Sequence, residues 1–327
     1  MLIDHYNRVH DYLRLSITDK CNLRCSYCNP VDLPRSYFSG RSRMSAEEIL
    51  EIVTVFVSQG IKKVRITGGE PLVRKDARDI VERLSSLPVE LAITTNGVYL
   101  HEFVDVFANC GLRAVNVSLD SLSESSFKTI TGRDEHKRVL DNIQLLIDRN
   151  FHVKVNMVVI RDVNHHEIPS FVEWTKSQPI HVRFIEFMPF IGNGWDSTRV
   201  FSHHEMLEML STKYEYDKLT DKLNDTTKKF AVRGYSGTFA TISSMTNPFC
   251  GGCNRLRLTS DGKMKNCLFS KQEADILGAL RLGHDILPII KQCVHSKEPM
   301  LGGQIVRSVS DVDADAIKNR SMISIGG

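Results

Sequence analysis

Six short runs of β-branched and apolar residues, each followed by a longer stretch of polar or amphipathic character, constrain the first two thirds of this chain more than any other feature. They are "YLRLSIT" (12–18), "KKVRIT" (62–67), "VELAITT" (89–95), "LRAVNVSL" (112–119), "FHVKVNMVVI" (151–160) and "IHVRFIEF" (180–187). Alternation of this kind builds βα units around a parallel sheet. The clearest helix is "SAEEILEIVTVFVSQG", with Ser45 as its cap, Glu48 at capping-box distance and Gly60 as its stop. Further helical stretches are expected near 74–87, 136–149 and 165–177. Six units are too few to close an eight-fold barrel, so the expected fold is α/β: an incomplete parallel (β/α)6 barrel with helices on one face of the sheet and a filled interior on the other.

Chemistry in such folds collects where the strands end. Those ends read "TDKC", "TGGE", "TTNG", "SLDS", Asn156 and "EFMP", an unusually polar set. Beyond about residue 200 the pattern changes to shorter strand candidates, "KKFAVRG", "TFATISS" and "RLRLTSDGKMKNCLF", with helical stretches near 271–282 and 286–294. The expected division is therefore a partial barrel over 1–200 and a smaller C-terminal α+β subdomain over 201–327. Its last part, "SVSDVDADAIKNRSMISIGG", is polar and weakly periodic and reads as an extended tail.

A chain of 327 residues with 42% hydrophobic content can bury a substantial core. Its net charge of +3, from 42 basic and 39 acidic residues, gives no global field of the kind that nucleic-acid or polybasic membrane proteins carry. The N-terminus has Asp4 and Asp11 in place of an apolar signal segment, and no apolar run is long enough to span a bilayer. A soluble, cytoplasmic protein in a reducing compartment is expected, with no nucleic acid and no membrane among its partners.

The eight cysteines are not evenly spread: three stand at 21, 25 and 28, three at 250, 253 and 267, and Cys110 and Cys293 stand alone. Clusters at such spacing point to metal sites rather than to a disulfide framework. Cys21, Cys25 and Cys28 form C-x3-C-x2-C in a polar loop with Lys20, Asn22 and Arg24. Three thiolates suit three corners of a 4Fe-4S cluster, leaving the fourth iron open. The alternative is structural zinc, for which Asp19 or a distant histidine would complete four ligands. Cys250, Cys253 and Cys267 repeat the trio as C-x2-C-x13-C; here the alternative is a zinc ribbon completed by Cys293 or a histidine. Arg255 and Arg257 fall on one face of a strand beside this second trio, where two guanidiniums would suit a polyanion such as a nucleoside triphosphate.

The cysteine motif with Tyr27 before its third cysteine, followed at the next strand end by "TGGEP", resembles the radical S-adenosylmethionine (SAM) enzymes. "LRLSITDKCNLRCSYCNP", "IKKVRITGGEPLVR", "TTNG", "NVSLDSL", "EFMP", the second cysteine motif with its arginines and the terminal "GG" together resemble one branch of them over essentially the whole chain: the GTP 3′,8-cyclases, or molybdenum cofactor biosynthesis protein A. The resemblance implies two 4Fe-4S clusters. The first, on Cys21, Cys25 and Cys28, would bind SAM, with Tyr27, Gly68, Gly69, Glu70, Ser118 and Met188 around it. The second, on Cys250, Cys253 and Cys267, would bind the guanine of GTP, with Arg14, Arg65, Thr95, Lys154, Arg255, Leu256 and Arg257 meeting sugar and phosphates. Gly326 and Gly327, readable from the residues alone as a frayed end, a tail awaiting adenylation or a catalytic tail, are implied together with Arg257 to support the reaction.

That reaction would convert GTP to (8S)-3′,8-cyclo-7,8-dihydroguanosine 5′-triphosphate, the first step of molybdenum cofactor biosynthesis, through abstraction of the ribose 3′ hydrogen by a 5′-deoxyadenosyl radical. The implied partners are GTP as substrate, an electron donor of flavodoxin or ferredoxin type and the downstream cyclic pyranopterin monophosphate synthase, and the resemblance allows a homodimer. Two other classes stay open: a radical SAM enzyme that modifies peptides with an auxiliary cluster, and a non-enzymatic zinc-binding interaction module.

Overall fold

The structure is a computed structural model that describes residues 1–28, 43–305, 309–314 and 316–326. The six expected strands form where the alternation placed them, each a residue or more shorter: β1 (Tyr12–Ser16), β2 (Lys63–Thr67), β3 (Glu90–Thr95), β4 (Ala114–Ser118), β5 (His152–Val159) and β6 (His181–Glu186). They lie side by side in sequence order and all parallel. Between them run α1 (Ala46–Ser58), α2 (Ala77–Ser85), α3 (Val104–Asn109), α4 (Glu124–Thr131), α5 (His136–Asp148) and α6 (Ile168–Trp174). The first of these has both halves of its capping box, Ser45 with Glu48, and Gly60 follows its end at φ 98°, the left-handed geometry that stops a helix. Helices α3 and α4 went unread because each is short and lies close to its strand.

The C-terminal segment adds α7 (His203–Ser211), β7 (Tyr216–Lys218), β8 (Lys228–Val232), β9 (Thr238–Ile242), β10 (Arg255–Leu258), β11 (Lys263–Lys265), β12 (Ala274–Asp275), α8 (Ile276–Arg281), α9 (Leu287–His295) and α10 (Met322–Ile325). Its strands join the sheet of the first six at both edges, in the order β12-β11-β10-β1-β2-β3-β4-β5-β6-β9-β8-β7. Strand β10 runs parallel to β1 and β9 parallel to β6, so the parallel array extends by one strand on each side. Nothing among the described residues pairs β12 with β7, and the sheet stays open. The single run expected over 255–269 is split by a turn at Asp261-Gly262 into β10 and β11, which pair antiparallel.

Alternation along the strands separates two faces. Leu13, Leu15, Val64, Ile66, Leu91, Ile93, Val115, Val117, Val153, Val155, Val182, Phe184, Leu256 and Leu258 point to the helices and form the main core. The opposite face is polar and surrounds a cavity in place of the expected filled interior. A second apolar cluster at the strand ends holds Phe187, Phe190, Phe269, Leu301, Ile305, Ile317 and Ile325. The last segment is thus no extended tail: Ile317, Ser321, Ile323, Ser324 and Ile325 are buried, and the apolar residues spaced through it are what the weak periodicity concealed.

Glu186 at the end of β6 shows how the two parts are joined. Wholly buried, its carboxylate accepts from the backbone N–H groups of His203 (2.9 Å), Met245 (2.8 Å) and Thr246 (3.0 Å) and from the Thr246 hydroxyl. Removing it strands four donors, of which the Met245 N–H is fully buried. Glu186→Ala should lower the unfolding free energy by about 3 kcal/mol in urea titration; a loss under about 1 kcal/mol would mean that water replaces the carboxylate.

Candidate functional site

The loop after β1 carries the first cysteine triad, and neighbouring strand ends hold it on several sides. The Arg24 and Ser26 N–H groups donate to the carbonyls of Thr131 and Ile130 at the end of α4 (2.8 and 3.2 Å). Those of Gly69 and Glu70 donate to the carbonyls of Thr18 and Lys20, both at 2.7 Å. Asn96 reaches the Asn22 side chain (2.7 Å) and the Cys21 sulfur (3.8 Å), and the Tyr27 hydroxyl donates to Asp120 at 2.6 Å. A Cβ at Gly68 would stand 2.6 Å from the Thr18 oxygen and one at Gly69 2.4 Å from the Lys20 oxygen. The two glycines therefore let the β2 loop lie on the backbone of the cysteine loop itself.

Glu70, expected beside SAM, is buried and bonded to its own protein. It accepts from Leu72 N (3.0 Å), Thr95 Oγ1 (2.8 Å) and Asn96 N (2.6 Å), and burial raises its pKa to about 7. Thr95, expected at the substrate, spends its hydroxyl on this carboxylate; its neighbour Thr94 lines the cavity instead. Ser118 is half-buried at the end of β4, and Met188 lies after β6 on the cavity wall.

All six clustered cysteines are free thiols. Burial raises the Cys25 thiol, as do Asp120 and the neighbouring Cys28 and Cys21, so the first trio sits within mutual electrostatic reach. Cys250, Cys253 and Cys267 line the cavity together. The fourth ligands that zinc would need are otherwise engaged: Asp19 pairs with Arg43, and Cys293 is buried in the main core with its thiol against the Met264 carbonyl. Among the described residues no three His, Cys, Asp or Glu side chains converge as around a single ion. The donors of each triad are purely thiolate, which fits an iron–sulfur cluster.

The cavity, about 710 Å³, is enclosed by β1 to β6 together with β10 and the β7–β8 loop. Strand register fills it with charge in rows: Arg257, Arg14 and Arg65 are Cα partners across β10, β1 and β2, and Arg255, Tyr12 and Lys63 form the next row. Lys154 and Arg183 complete the wall from β5 and β6. Among the described residues, nine lysines and arginines line the cavity (these seven cations besides Lys222 and Lys229), against one carboxylate, that of Asp225. Burial and the charges of Arg183, Arg65 and Lys63 depress Lys154 to about 8, and burial with Arg65 pushes Arg183 down to about 9. Polar atoms of Thr94, Asn116, Asn156 and Arg183 are buried on this wall without a partner among the described residues.

Of the residues expected at the substrate, the structure thus gathers Arg14, Arg65, Lys154, Arg255 and Arg257. Leu256, between the two arginines, faces the helices with no exposure, so only its backbone is available. Tyr12, Lys63, Asn116 and Arg183 were missed, although the two-residue alternation that singled out Arg255 and Arg257 applies equally to them. Lys222 had no such signal, since the β7–β8 loop brings it in, and Lys229 lies on β8.

The C-terminal segment closes the mouth. Arg320 pairs with Glu273 and, at 2.7 Å, with Asp261, and its side chain is largely buried. Beyond it Ile323 packs beside Gly69, and Gly326 enters between β1 and β2 at φ 85°, where a Cβ would lie 2.6 Å from Thr67 Oγ1 and 2.8 Å from Ser16 Cβ. Arg257 donates to the Gly326 carbonyl at 3.0 Å. Gly327 lies outside the described residues.

Comparison with known proteins agrees with this layout. Residues 15–175 match the family model of the Radical SAM superfamily, and residues 180–302 that of Molybdenum Cofactor Synthesis C. The chain is 41% identical to a "GTP 3',8-cyclase, mitochondrial" of Arabidopsis thaliana, covering 100% of this chain and 84% of that one. It is 36% identical to a "GTP 3',8-cyclase" of Listeria monocytogenes, covering 100% and 99%. "Molybdenum cofactor biosynthesis protein 1" of Homo sapiens is 39% identical over 99% of this chain, which spans only 51% of that protein's length. Among solved structures, Streptococcus suis SuiB superposes with a TM-score of 0.63 over 91% of this chain and 68% of its own, at 15% identity, a likeness of fold alone. Relatedness over the full length, joined to both cysteine triads, makes this chain a member of the GTP 3′,8-cyclase family of radical SAM enzymes.

Proposed function

We propose that the chain converts GTP to (8S)-3′,8-cyclo-7,8-dihydroguanosine 5′-triphosphate, the first step of molybdenum cofactor biosynthesis. The observation that carries this is the cavity: among the described residues nine lysines and arginines line it against one carboxylate, with the second cysteine triad and Met322 of the C-terminal segment on its wall. Such a site wants a compact polyanion, and a triphosphate offers the bidentate acceptors that guanidiniums take best. When bound, SAM and a cluster on Cys21, Cys25 and Cys28 supply a 5′-deoxyadenosyl radical, for which the target is the ribose 3′ hydrogen.

The chain's own task is positioning. Arg14, Arg65, Lys154 and Arg183 neutralise the phosphates, Arg255 and Arg257 meet them from β10, and Cys250, Cys253 and Cys267 would hold a cluster whose open iron would supply a ligand position for the guanine. Tyr27, tied to Asp120, and Met188 flank the SAM side with Gly68, Gly69 and Ser118. The Gly326 tail, with Gly327 beyond it, excludes water from the mouth and keeps Arg257 in place. An electron donor of flavodoxin or ferredoxin type and a cyclic pyranopterin monophosphate synthase are the proposed partners, and a homodimer the proposed assembly. No helix among the described residues is long and apolar enough to cross a membrane. The proposed compartment is the cytoplasm, while the Arabidopsis relative is named as mitochondrial. The division at residue 200 is proposed as one of function, since the barrel carries the SAM side and the later segment the second triad.

Anaerobic protein with SAM, reductant and GTP should consume GTP and yield an isomer of the same mass, separable by chromatography; SAM cleavage with GTP untouched would favour the peptide-modifying class. Arg257→Ala should weaken GTP binding by about tenfold or more in calorimetry, a loss of roughly 1.4 kcal/mol, while SAM cleavage without GTP persists. Unchanged affinity would remove the phosphate role. Lys154 supplies a pH test. With its free pKa near 8 it is partly neutral above that pH, a triphosphate favours its charged form, and binding must therefore take up protons there. At about pH 8.5 the uptake should fall by on the order of half a proton in Lys154→Met; equal uptake in both proteins would place Lys154 away from the phosphates.

A further inference from the structure

Lys297, just past the end of α9, is 3% exposed, yet among the described residues no carboxylate pairs with its ammonium. Its Nζ lies 3.5 Å from the Cys253 sulfur and 3.1 Å from the Arg255 carbonyl. Arg8, which also reaches this region, is already matched: it pairs with Asp4 at 2.6 Å and donates to the carbonyls of Cys250, Glu298 and Pro299. A buried ammonium without a counterion is costly, and the negative charge within its reach is sulfur.

We infer that Lys297 is a positioning residue of the second cysteine site: its ammonium, donating to the Cys253 sulfur, stabilises the electron-rich state of an iron–sulfur cluster held there. This rests on the reading of Cys250, Cys253 and Cys267 as a cluster site. Reduction adds one electron from an external low-potential donor, and no bond to Lys297 forms or breaks. Hydrogen bonds to ligand sulfurs and local net charge are what set such potentials, and Lys297 supplies both at Cys253.

The test uses the full chain, reconstituted anaerobically with iron and sulfide, with Cys21→Ser, Cys25→Ser and Cys28→Ser together so that the second site gives the signal. Its potential is read by electron paramagnetic resonance during titration with dithionite. Lys297→Met should weaken electron uptake about tenfold, a fall of about 59 mV for a one-electron couple, and Lys297→Arg should stay near the parent. An unmoved potential at full iron content overturns the inference. If Lys297→Met loses its iron or its fold, Lys297→Arg decides: retained iron at the parental potential upholds the role of the charge, and loss there too shows a packing role only. A parent that binds no iron fails at an earlier point, by removing the cluster reading of the triad itself.

Discussion

Like charge held inside a low-dielectric cavity is the constraint around which this molecule is arranged. Two unit charges about 6 Å apart repel by roughly 3 kcal/mol at an effective dielectric near 20, and the strand register places Arg257, Arg14 and Arg65 in one row. Among the described residues that line the cavity, Asp225 is the one carboxylate. The main core on the other face of the same strands keeps the row in place, because a one-residue slip would turn leucines and valines into the cavity and arginines under the helices. Stability and affinity for a polyanion are thus set by one alternation, read on its two faces.

A second dependence runs through close backbone contact. The cysteine loop is shaped by the glycines that let β2 rest on it, and the tail reaches the same place from the far end of the sequence, with Ile323 beside Gly69 and Gly326 against Ser16 and Thr67. The SAM-side loop, the β2 loop and the C-terminus therefore share one small region. Arg257 links that region to the cavity, lining the wall while donating to the Gly326 carbonyl, so the tail and the substrate site are mechanically coupled.

Much of this was legible in advance, and what was not has identifiable physical causes. Six strands and the capping box of α1 follow from periodicity and local hydrogen bonding, which sequence states directly. Arg14, Arg65, Lys154, Arg255 and Arg257 were found because each lies on a strand whose alternation is visible, and Arg183 could have been found the same way. Thr95 was expected at the cavity, but it shares the face of Leu91 and Ile93 and gives its hydroxyl to Glu70, while Thr94 lines the cavity. That β9 and β10 would dock on opposite edges of the first six strands is a matter of long-range pairing, which no local pattern carries. Lys297 was invisible for the same reason: a lysine after a helix reads as solvent-facing until the fold buries it beside sulfur.

The central claim is that this cavity presents the ribose of GTP to a radical formed at the first cysteine loop. The most direct measurement uses GTP carrying deuterium at C3′, with SAM and reductant under anaerobic conditions, and mass analysis of the 5′-deoxyadenosine released. The account predicts that the deuterium appears in 5′-deoxyadenosine; 5′-deoxyadenosine that forms free of deuterium while GTP keeps its label would contradict it.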